Sequence, residues 1–162
     1  MNSVITKCTW CWFILAIIAW PACRKERPVT MMVQQEMLAA VNMLRSTGCN
    51  CADTWMPPVK PLSWNDTLAA AALAHALDME ANNYFSHISP NGSSPIQRAV
   101  VVGYAGNHVT ENIAKGFSSQ QSVMEAWLRS DSHCRAVMDA AHTEMGAAQV
   151  NTYWVQEFGS YY

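Results

Sequence analysis

The stretch Glu144-Met145-Gly146-Ala147-Ala148-Gln149-Val150-Asn151-Thr152-Tyr153-Trp154-Val155-Gln156-Glu157-Phe158 decides the fold class. Its second half is rich in aromatic and β-branched side chains, and Asn151-Thr152 provides a tight connection between the halves. The pattern predicts two strands, 144–150 and 153–158, paired as a hairpin. Upstream, Val109 to Lys115 is a further candidate strand. Helical patterns dominate the rest, so helices outnumber strands and the strands come late. That order predicts an α+β chain in which helices are layered on a small antiparallel sheet.

The helices read out by spacing and by their ends. Ser132 to Met138 is a short one just before the hairpin. Ser119 to Arg129 precedes it, with Val123, Met124 and Trp127 as a buried stripe, Ser118 as cap and Gln121 completing a capping box. The clearest helix is 66–83, where Asn65 caps and the run Leu68-Ala69-Ala70-Ala71-Ala72-Leu73-Ala74 has high helix propensity. Its small side chains allow close approach to another layer. Ser89 to Pro95 is a loop turning at Asn91-Gly92, and 96–101 is a short helix that stops at Gly103. Met37, Leu38, Val41 and Leu44 recur at helical spacing within 31–45, and Gly48 ends that helix. Cys49 to Pro61 holds three prolines and reads as a loop.

The chain has 162 residues, 51% apolar and 14% charged, a length that suits one domain with its own core. Lys and Arg number 10 against 12 Asp and Glu, so no basic excess points to nucleic acid. The first 23 residues differ in character. Lys7 precedes the apolar run Trp12 to Trp20, then Pro21-Ala22-Cys23 and the charged Arg24-Lys25-Glu26-Arg27. The run falls short of the roughly 20 residues that span a bilayer. It has the length and flanks of a signal peptide. The expected organisation is a leader over 1–23, a tether over 24–33 and a domain over 34–159. Ala22 before Cys23 resembles a bacterial lipobox, although Trp20 and Pro21 depart from it. In that reading Cys23 is lipidated and the N-terminus is a membrane tether.

Cys49, Cys51 and Cys134 remain in the body. Export favours a disulfide. A Cys49–Cys51 bridge is awkward at that spacing, whereas Cys134 with Cys49 or Cys51 closes a long loop and is expected to stabilise by about 2–4 kcal/mol. A competing reading makes Cys49, Cys51 and Cys134, with a histidine, a zinc site; Cys-x-Cys is tighter than usual for one.

Several stretches recur in a fixed order: Leu62-Ser63-Trp64-Asn65 into His75-Ala76-Leu77-Asp78-Met79; Tyr84-Phe85-Ser86-His87 before Ser89-Pro90-Asn91-Gly92; Glu111-Asn112-Ile113-Ala114; Ala126-Trp127 through Ser132-His133-Cys134-Arg135; Thr143-Glu144-Met145-Gly146; and Tyr153-Trp154 to Phe158-Gly159. Together they resemble the bacterial form of the CAP superfamily (cysteine-rich secretory protein, antigen 5, pathogenesis-related-1) across nearly the whole body of the chain. The resemblance implies a three-layer α-β-α sandwich with a central cleft lined by histidines and acids. Carried over by motif, the cleft residues are His87, Glu111, Ser130 and His133. Ser130 stands where many eukaryotic members have a second glutamate, and Thr110 replaces a common glycine, so the full set of four is not present.

His87, His133 and Glu111 offer the chemistry to hold zinc or another divalent cation. His75 reads as a structural histidine, His108 and His142 as solvated, Asp78 as a local bridge, and Trp64, Trp127 and Trp154 as core. The resemblance implies an exported or surface binding module for a lipid, wall or protein ligand. A metal-dependent hydrolase acting on peptide or wall substrates, and a structural protein with an inert cleft, are the alternatives. No Gly-x-Ser-x-Gly elbow or His-Glu-x-x-His helix is present, which disfavours familiar hydrolases.

Overall fold

The computed structural model describes residues 29–161. The expected leader and Cys23 lie outside them. The order is α1 (Val29–Thr47), β1 (Cys49–Cys51), β2 (Thr54–Met56), β3 (Ser63–Trp64), α2 (Asp66–Ala81), α3 (Pro95–Val101), β4 (His108–Lys115), α4 (Gln120–Arg129), α5 (Asp131–Met138), β5 (Glu144–Val150) and β6 (Tyr153–Ser160). Helix α1 thus begins inside the segment expected to be a tether.

Strand β6 organises the sheet, whose order is β3-β5-β6-β4. It pairs antiparallel with β5 and β4 and is buried along its whole length. The β5–β6 turn is as tight as the sequence predicts: Val150 pairs with Tyr153, and Asn151 takes a left-handed conformation at φ 51°. The sheet is mixed rather than purely antiparallel, because Ser63-Trp64 runs parallel to Glu144-Met145. A two-residue strand is too short for any alternation to reveal it.

Alternation along β6 makes the layers. Trp154 and Phe158 point to a core shared with Met37 and Val41 of α1, Val123, Met124 and Trp127 of α4, and Val137 and Met138 of α5. Tyr153 and Val155 point the other way, onto Ala72, Ala76 and Met79 of α2. The result is the expected three-layer sandwich, with α2 and α3 on one face and α1, α4 and α5 on the other. The alanines of α2 matter here. Its backbone lies so close to the sheet that a Cβ at Gly146 would meet Ala69 N at 2.0 Å.

Caps agree in part with the sequence. Asn65 Oδ1 accepts from the backbone N–H of Thr67 and Leu68 at 2.9 and 3.0 Å. Helix α4 is capped by Ser119, not Ser118, and no box forms, because Gln121 reaches forward to Glu125. The supposed loop after Gly48 contains the β1–β2 hairpin, bonded to α5 through a Cys51–Cys134 disulfide. Three-residue strands tied down by a cross-link need no strand-forming pattern of their own. A second tie is Arg45, fully buried on α1, which donates to the carbonyls of Lys60, Val137, Asp139 and His142 at 2.7–3.2 Å.

Candidate functional site

Strand β4 is a sheet edge, and its alternation sends Glu111 and Asn112 to opposite faces. Each residue serves one half of a cleft at that edge.

On the α2 side, the Glu111 side chain is 1% exposed and both its oxygens are engaged. Oε1 accepts from His87 Nδ1 at 2.7 Å, and Oε2 from Arg98 Nη2 at 2.5 Å. His87 itself is half exposed, so its Nε2 edge is left to the cleft. Arg98, on α3, also fixes the loop that carries the histidine, donating to His87 O at 2.9 Å and Ser93 O at 3.0 Å. His75, on α2, lies behind. Its Nε2 is 2.9 Å from Ser86 O and 3.7 Å from Glu111 Oε2. Tyr84 beside it donates to Asp78, the local bridge read from the sequence.

Directly opposite Glu111 in the register is Glu157, whose side chain is fully buried. The two carboxyls settle differently. Burial works to raise the Glu111 carboxyl, but the His87 hydrogen bond, Arg98, His75 and a hydrogen bond from Glu157 overcome it and hold it below the usual range. Burial first, then the Glu111 charge and hydrogen bond, push Glu157 well above that range. The pair is therefore unequal: its surroundings favour the proton on Glu157 and the negative charge on Glu111.

On the α5 side, His133 Nδ1 lies 2.8 Å from Ser130 Oγ, and Ser130 is both the last cap of α4 and the first of α5. Asn112 Nδ2 donates to His133 O at 3.1 Å and to Gln156 Oε1 at 3.2 Å, clamping the helix to the sheet. Burial, and then the charge of His87, lower the His133 pKa.

His87, Glu111, Ser130 and His133 all sit around this edge, but His87, Glu111 and His133 do not present ligand atoms close enough to form a ready three-residue cage. Among the described residues, the set of three with ligand atoms within 4.8 Å of one another is Cys49, Cys51 and Cys134. That sulfur cluster could hold a metal, although two of its members are joined as the disulfide. Glu111 orients His87 through Oε1 and is itself held by Arg98 through Oε2.

Sequence reading missed Arg98, Asn112 and Glu157. An arginine inside Ile96–Val102 and a glutamate in phase with Tyr153 and Val155 were the available signals. It also placed His142 in solvent, whereas the ring is buried. His142 Nδ1 is 3.0 Å from Ala136 O, its Nε2 is 3.2 Å from Thr110 Oγ1, and it stacks between His108 and Phe158. Thr110, in place of the common glycine, gives the Nε2 edge of that ring its hydrogen-bond partner.

The family model described as the cysteine-rich secretory protein family, CAP, matches residues 38–158. The chain belongs to the CAP family. The Bacillus subtilis protein YkwD is 34% identical to it over 102 residues, covering 62% of this chain and 40% of YkwD. The B. subtilis membrane protein YlbC is 32% identical over 97 residues, covering 60% of this chain and 28% of YlbC. The CAP chain therefore spans well under half the length of these relatives. An extracellular SCP-domain protein of Bacillus anthracis superposes with a TM-score of 0.70 at 25% identity, over 80% of this chain and 40% of that one. An outer surface protein of Borrelia burgdorferi gives 0.68 at 24%, over 79% and 92%, and supports the fold. Among the described residues no helix is long and apolar enough to cross a membrane.

Proposed function

We propose that this CAP protein is an exported binding module whose ligand seats in the cleft between His87 and His133, with a divalent cation such as zinc as part of the seat. The observation that carries this reading is the engagement of Glu111. Its two oxygens are held by His87 and Arg98, so it positions an imidazole and is not free to take a proton from water. Glu157 is fully buried, and its surroundings favour its protonated form. A hydrolase needs a general base within reach of the reacting water; neither carboxylate is placed to be one, and in this reading the two imidazoles are taken up by the cation. The Nε2 atoms of His87 and His133 would hold the cation, with solvent or ligand in its other positions. The extracellular B. anthracis neighbour supports a place outside the cell or on its envelope; wall, lipid or protein is the ligand class to test.

Calorimetric zinc titration of the purified protein, beside His87→Ala/His133→Ala, tests the cation. Binding at least about tenfold weaker in the variant is expected, since removing even an outer partner of a metal ligand costs that much. Equal affinity would place the metal elsewhere. Binding to isolated wall fragments and lipid vesicles then tests the ligand, and binding unchanged in the double variant would remove the cleft from recognition.

A further inference from the structure

The sulfur cluster adjoins the cleft: Cys134 follows His133 on α5, and its bridge to Cys51 ties that helix to the β1–β2 hairpin. Cys49 and Cys51 alternate on β1, so their side chains share one face of the strand. That face meets Cys134 on α5. Cys49 Sγ stands 3.9 Å from Cys134 Sγ. Two thiolates on one tetrahedral zinc, with bonds of about 2.3 Å, are about 3.8 Å apart. The free thiol therefore already sits at the separation that a shared metal imposes. Cys51 and Cys134 are buried while Cys49 is half-buried, which leaves the Cys49 side open to solvent for a fourth ligand.

We propose that Cys49, Cys51 and Cys134 form a redox-gated metal site: closed by the disulfide when oxidised, and a three-thiolate seat for zinc or a cation of similar softness when reduced. The balance is simple. Two molecules of a small external thiol reduce Cys51–Cys134 to two cysteine thiols and leave as their own disulfide. The cation then replaces the protons of the three cysteines, which pass to solvent, and forms three metal–sulfur bonds. Three thiolates and a dication leave one negative charge. Arg135 follows Cys134 in the chain, but its Nε is held by both Asp131 carboxylate oxygens at 2.9 Å, so that charge is left to solvent.

A nucleophilic role for Cys49 fits less well. Burial pushes its thiol pKa up, which lowers the thiolate fraction that attacks disulfides. A metal ion drives the same deprotonation by binding.

Cadmium tests the site because its bonds to thiolate give an ultraviolet charge-transfer band that histidine and carboxylate do not. The background is the purified protein carrying His87→Ala/His133→Ala, which keeps the cleft out of the reading, and Cys8→Ser, Cys11→Ser and Cys23→Ser, which leave Cys49, Cys51 and Cys134 as its cysteines. One cadmium per chain, with the band, is expected after reduction by a phosphine, and none before it. Cys49→Ser leaves the disulfide intact in the oxidised form. After reduction it should bind at least about tenfold more weakly. A reduced protein without the band, or a Cys49→Ser variant with unchanged affinity, overturns the proposal. Alkylation counted by mass gives a second reading: zinc should slow modification of all three cysteines together, and unchanged rates overturn it as well.

Discussion

On the α2 side of β4, His87 rests on charge: the Glu111 carboxylate, the Arg98 cation, with His75 and the buried Glu157 behind them. On the α5 side, His133 rests on neutral groups, Ser130 and Asn112, and on a helix bonded covalently to the β1–β2 hairpin through the residue after it. Both arrangements aim an imidazole at the same edge. They differ in what disturbs them. A buried ionic network fails when one charge is removed, because the others are left uncompensated. A neutral, cross-linked support fails by degrees, and through reduction.

The sharpest way to break the comparison is Arg98→Ala. The variant leaves Glu111 without its guanidinium and should lose about 3–5 kcal/mol in denaturant unfolding. A loss comparable to that of a surface residue would mean that the network is not what holds the His87 side. Next comes Cys134→Ala, which opens a cross-link across 83 residues and should cost about 2–4 kcal/mol. Ring signals of His133 should shift in NMR spectra while those of His87 stay in place. Equal shifts on both sides would show that the halves are not independent. Ser130→Ala should cost about 0.5–1.5 kcal/mol, a single hydrogen bond, and alter the titration of His133.

The smallest effect is a slope. A carboxyl with a raised folded-state pKa holds a proton that the unfolded chain releases, so Glu157 lowers stability as pH rises above the ordinary carboxylate range. Glu157→Gln keeps a donor toward Glu111 and removes that slope. The variant should therefore gain on the parent between pH 5 and pH 8 in paired unfolding curves. A parallel pair of curves would mean that Glu157 is ionised in the fold. The opposite sign holds for Glu111 and His133. Both pKa values are lowered, so their contributions are present at neutral pH. That of His133 is lost as pH falls through the usual imidazole range, and that of Glu111 at still lower pH as it passes through its depressed value.

Much of the molecule follows from local sequence. The β5–β6 hairpin, the α2 cap at Asn65 and the α4 stripe are set by residues a few positions apart, where propensity and alternation suffice. The motifs carrying His87, Glu111, Ser130 and His133 were legible for the same reason. Tertiary structure decided what no neighbour along the chain could. It placed Glu157 against Glu111 through the β4–β6 register, brought Arg98 back over the His87 loop, buried Arg45 among four carbonyls and chose Cys51 over Cys49 as the partner of Cys134. Each of these is a contact between distant segments. Its energy depends on burial and on which other charges arrive at the same point, and both exist only once the layers have closed.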